Sequence, residues 1–118
     1  MKPSERDPLL YIFDIQPSMK RVQEYIMGLN FNQFKNDHKT VDAVIRNFEI
    51  IGEATKNLPK EIKEKYSSIP WEEMYRLRNR ISHEYFGIDH EIIWDIATRH
   101  LPKNYEDITE VVKDLNKE

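Results

Sequence analysis

A chain of 118 residues, 39% hydrophobic and 33% charged, can build one core of ordinary size and has no room for a second, so a single domain over 1–118 is expected. Its 18 basic and 21 acidic residues leave a formal net charge of −3, which excludes an overall basic nucleic-acid binder and confines any such binding to a local patch. Cysteine is absent, which excludes disulfides, thiolate metal sites and thiol nucleophiles; with a polar stretch from Met1 to Asp7 in place of a signal-peptide core, the chain reads as cytoplasmic.

Apolar residues recur at helical spacing almost throughout, and no run of roughly 18 apolar residues suits a membrane span. The first helix is predicted from about Pro8 to Met27, with Gly28 at its exit and Pro17 placed to kink it. A loop is expected from Leu29 to about Asp37. The second helix, capped by Asp37 or Thr40 and ended by Pro59, carries Val41, Val44, Ile45, Phe48, Ile51, Thr55 and Leu58 on one stripe. Ala43, Ile50 and Ala54 form a narrower stripe on the other side, which fits either a second subunit or a single exposed isoleucine. A short helix is expected from Lys60 to Tyr66, and a third long one from Ile69-Pro70-Trp71 to about Tyr85, broken by Gly87. Asp89 should cap a fourth helix, His90 to His100, closed by Pro102; a last, acidic helix should run from about Asn104 to Asn116. The fold class is therefore all-α, an antiparallel bundle of four to five helices.

The chemistry concentrates in the third long helix. On a helical wheel Trp71, Met74, Leu77, Ile81 and Tyr85 share a broad apolar face, whereas Arg76 with Glu72 and Arg80 with Glu84 form i,i+4 pairs of a solvated surface. Arg78 falls within the apolar stripe, where a guanidinium needs a partner or an open cleft. It is either a structural arginine satisfied by a carboxylate or carbonyls, or an anion-binding group for a phosphate. His83 follows three arginines and can exchange protons near neutral pH, and Asn79, one turn earlier, could orient its ring. On a straight helix Arg78 and His83 lie about 140° apart. A site joining them needs either a distortion before Gly87 or a second subunit. The chain has no Gly-rich phosphate loop, nuclease-type carboxylate pair or His-Glu-x-x-His, and His38, His83, His90 and His100 lack ligand spacing, so neither a metal nor another cofactor is expected.

The arrangement Arg78, four residues, His83, one residue, Tyr85 resembles the signature of HEPN-domain proteins of the HepT toxin family. The block from Val44 to Ala54, Ile69-Pro70-Trp71, Phe86-Gly87-Ile88-Asp89, Ile93-Trp94-Asp95-Ile96 and Leu101-Pro102 are similar to the family in the same order, over nearly the full chain. Pro17 departs from the family's uninterrupted first helix. The resemblance implies a HEPN-like homodimer whose motifs line a composite groove, and a metal-independent endoribonuclease acting as the toxin of a toxin–antitoxin pair. The implied partner is an antitoxin of the MNT nucleotidyltransferase type, able to attach AMP to the motif's tyrosine. Carried onto this sequence, Arg78 and His83 are the catalytic pair and Tyr85 the modification site, with Asn79, Arg76, Arg80 and Glu53 in auxiliary or RNA-binding roles. Two rival readings remain: a non-catalytic, nucleotide- or partner-binding module of a nucleotidyltransferase, and a plain structural helical dimer with Arg78 neutralised by a buried acid.

Overall fold

The computed structural model describes residues 7–76 and 89–117, and every regular element among them is helical. Pro8–Tyr11 form a 3₁₀ turn, started by the Asp7 carboxylate accepting from the Leu9 N–H at 3.0 Å, and lead directly into α1, Ile12–Ile26. Proline suits that first turn because its missing N–H has no bond to make there. The apolar residues of α1 fall three and four apart, so Ile12, Ile15, Met19, Val22 and Ile26 are all buried along one face. Pro17 lies inside the helix. Gly28 closes α1 with φ +80°, a conformation glycine adopts without penalty.

The expected loop after Gly28 contains a helix, α2, Phe31–Asn36. Asn30 and Gln33 build a reciprocal capping box: the Gln33 N–H donates to the Asn30 side chain at 2.8 Å, and the Asn30 N–H to the Gln33 side chain at 2.9 Å. α3, His38–Lys56, starts at Asp37, whose carboxylate accepts from the Thr40 N–H and hydroxyl at 3.1 and 2.7 Å. The stripe read from the sequence is its core face: Val41, Val44, Ile45, Phe48, Ile51 and Thr55 are buried, as is Leu58 just beyond the end. The buried Thr55 hydroxyl donates to the Ile51 carbonyl at 2.7 Å. On the narrower stripe Ala54 is buried and Ala43 and Ile50 are half-buried. Asn47 lies between them, buried, with its amide donating to the Ala43 carbonyl and its Oδ1 without a hydrogen-bond partner among the described residues.

α4 spans Lys60–Lys65, and the part of α5 that is described covers residues 71–76. Trp71 and Met74 face the core, and the Trp71 indole donates to the Tyr66 carbonyl at 3.1 Å. α6 spans His90–Asp95, a π-helical turn Ile96–His100 follows, and α7 runs over Leu101–Asn116. The expected break at Pro102 is therefore absent. Pro102 sits in the first turn of α7, where it is tolerated, and the path of the helix continues from His90 to Asn116.

α1 packs between α3 and α7, and α2 packs on α3 and α6. The Gln16 amide donates to the Thr109 hydroxyl at 3.1 Å between α1 and α7, and Phe34 meets Trp94 with ring centroids 5.1 Å apart. Among the described residues, no helix is long and apolar enough to cross a membrane.

Candidate functional site

The packing of α1, α3 and α5 against the α6–α7 run leaves a cleft of about 710 Å³. Its floor is apolar, from Met19 of α1, Phe48 and Ile51 of α3, and Leu101 of α7. Its rim is charged, with Glu73 and Arg76 of α5 facing Asp89, Glu91, Asp95 and His100. Asp89 is held as the N-cap of α6, accepting from the Glu91 and Ile92 N–H groups at 3.0 and 3.3 Å. Among the described residues, the rim therefore carries four carboxylates, one guanidinium and one imidazole.

Of the residues the sequence singled out, Arg78, Asn79, Arg80, His83 and Tyr85 lie outside the described residues. Arg76 is exposed on α5, its Nε 3.4 Å from Glu72 Oε1, as the i,i+4 spacing predicts. It also lines the cleft two residues before Arg78, while Asp89 lines it four residues after Tyr85. Glu53 is exposed on α3, off the main core stripe, and does not line the cleft. The Leu77, Ile81 and Tyr85 part of the expected apolar face, and the Arg80–Glu84 pair, also fall outside the described residues.

One arrangement escaped sequence reasoning. Asp95 and His100 are five apart, which on an α-helix separates them by about 140°. The π-helical turn between them, with i→i+5 bonding from the Leu101 N–H to the Ile96 carbonyl, returns His100 to the side of Asp95. Its Nε2 lies 3.6 Å from Asp95 Oδ2, and Asp95 Oδ1 takes the Arg99 Nε at 3.2 Å. No spacing rule applied to the sequence reveals this pair, because it depends on a helical register that propensity does not specify.

Residues 15–118 match the family described as ribonuclease HepT-like. A Methanocaldococcus jannaschii protein named as a candidate RNase is 42% identical to the chain over 114 residues, covering 97% of this chain and 94% of its own. A candidate RNase of Caldanaerobacter subterraneus is 36% identical over 108 residues, covering 92% and 96%. The probable ribonuclease HepT of Thermococcus cleftensis is 40% identical over 102 residues, covering 86% and 90%. No solved structure matches the chain.

Proposed function

The chain belongs to the HepT-like ribonuclease family, and from that premise we propose that this ribonuclease is the toxin of a two-component system, a cytoplasmic homodimer of one HEPN-like domain over 1–118 that cuts RNA internally without a metal. The observation that carries the site is the position of the cleft. Arg76 and Asp89, which flank the segment bearing Arg78, His83 and Tyr85, both line it.

RNA carries its own nucleophile, the 2′-OH. In this reading His83 takes the 2′-OH proton or delivers a proton to the departing 5′-oxygen, a type of contribution worth about 10²–10⁴-fold. Arg78 stabilises the charge that builds on the phosphoryl oxygens as the 2′-oxygen attacks phosphorus. Asn79 orients the imidazole, and Arg76, Arg80 and Glu53 are auxiliary. The products are a 2′,3′-cyclic phosphate and a free 5′-hydroxyl. The antitoxin is a nucleotidyltransferase of the MNT type, and AMP on Tyr85 puts bulk and negative charge where the substrate phosphate would sit.

Digestion of RNA by the purified chain, with and without a chelator, tests the chemistry. Cyclic phosphate ends in both conditions are expected, and His83→Ala should lose at least about 10²-fold in rate while keeping its helical circular dichroism. Linear 5′-phosphate ends lost on chelation, or full activity in His83→Ala, would overturn the mechanism. Incubation with a cognate nucleotidyltransferase of the MNT type and ATP should add the mass of AMP to Tyr85; modification confined to other residues would remove that part.

A further inference from the structure

We propose that the cleft is a nucleobase subsite, in which Asp95 and His100 read the edge of an amino-bearing base of the RNA strand. The proposal takes its substrate class from the ribonuclease reading above. A volume of about 710 Å³ lies within the range of small-molecule pockets, so a base and its ribose fit with room for water. The floor of Met19, Phe48, Ile51 and Leu101 offers an apolar surface to the face of a ring.

The charge of the rim decides which part of a nucleotide enters. Among the described residues of the rim, Glu73, Asp89, Glu91 and Asp95 outnumber Arg76, and these carboxylates repel a phosphate while leaving an uncharged base unaffected. The phosphate is then left outside the cleft. Carboxylates only accept hydrogen bonds, and adenine, cytosine and guanine each present an exocyclic amino donor. Uracil has no exocyclic amino group; its one Watson–Crick-edge donor, the ring N3–H, lies between two carbonyl oxygens that carboxylate oxygens repel, so it is the poorer fit.

The π-helical turn is the second, independent observation. Turns of this kind interrupt the regular bonding of a helix and recur at functional sites. Here it brings His100 back beside Asp95 on the cleft rim, and Arg99 fixes the other oxygen of the same carboxylate. The pair is thereby oriented before any ligand arrives, with Asp95 still able to accept from an amino group, since a carboxylate has about four acceptor positions.

The test uses the isotopically labelled full chain and uncharged nucleosides, so it reads binding and needs no cleavage. Adenosine, cytidine and guanosine should shift the amide signals of Ile92, Ile96 and Asn104 at the cleft and bind roughly tenfold more tightly than uridine. Asp95→Asn should erase that preference, and His100→Ala should weaken all the amino-bearing nucleosides several-fold. The His100 side chain is exposed and that of Asp95 about half-exposed, and unchanged signals from the α1 and α3 core residues would show that the fold is kept. Equal binding of uridine, no shift with any nucleoside, or a preference that survives both substitutions would overturn the subsite. Shifts with polylysine alone would also overturn it, in favour of a basic protein partner. Because nucleoside binding is measured apart from turnover, a chain that binds bases and cuts no RNA would sink the catalytic reading and keep this one.

Discussion

Asp37 shows how a single side chain fixes where an element begins. Hydrogen bonds from the Thr40 hydroxyl and N–H hold its carboxyl below the usual carboxylate value of 3.8. A group whose folded value is depressed stabilises the fold fully above its unfolded value and loses that contribution as pH falls through the folded one. Thermal unfolding of Asp37→Ala should therefore show a lower midpoint than the parent at neutral pH, with the gap closing below about pH 3.8. Asp37→Asn keeps the cap without the titration and should hold its midpoint more evenly across that range. Tyr66 runs the other way. Its hydroxyl donates to Asp114 at 2.5 Å, which raises the phenol above its ordinary 10.0. The bond is present below that pH and is lost as pH rises through the folded value, so Tyr66→Phe should differ from the parent at neutral pH and converge with it in strong alkali. Phe48, 1% exposed, forms both core and cleft floor, and Phe48→Ala should cost about 3–5 kcal/mol in denaturant unfolding.

At the scale of elements, periodicity made most of the fold legible. The α3 stripe from Val41 to Leu58 is buried residue for residue, because a 3.6-residue repeat leaves one face for the core. Two elements depart from the sequence pattern for physical reasons. α2 is only six residues long, too short for periodicity to register, and its signal is the Asn30–Gln33 capping box instead. Pro102 reads in the sequence as a stop, whereas a proline can equally open a helix, and only the π-helical turn before it decides. The same turn hid the Asp95–His100 pair, so the cleft's charged rim was not legible, while the i,i+4 partner of Arg76 was. Pro17 remains a local rule broken inside α1. An interior proline forfeits a backbone bond and crowds the preceding turn, at a cost of roughly 3 kcal/mol. Pro17→Ala should therefore raise stability, by about 1–3 kcal/mol in urea unfolding once relaxation around the proline is allowed for. An unchanged or lower midpoint would mean that the packing of α1 between α3 and α7 is built around the proline.

The whole molecule poses the question of how Arg78 and His83 meet, because a straight helix carries them to different sides. If the site closes within one chain, each subunit is catalytically complete. If it closes across a two-fold axis, Arg78 of one subunit works with His83 of the other, and the axis needs a face where two helices can approach. Ala43 and Ile50 on α3, both half-buried, offer a narrow apolar strip for that approach, while Ala54 of the same stripe is buried within the chain. Ile50→Glu should then yield monomers by light scattering and reduce cleavage with them. The two closures separate cleanly when Arg78→Ala and His83→Ala chains, each inactive alone, are unfolded together and refolded as a mixture. Random pairing makes half the dimers mixed, and a shared site leaves each mixed dimer one intact centre of two, so about a quarter of the parent activity should return. A self-contained site returns none, since no chain in the mixture holds both groups. Recovery of activity in that mixture, abolished again by Ile50→Glu in both chains, would place the arginine and the imidazole of one centre on different subunits.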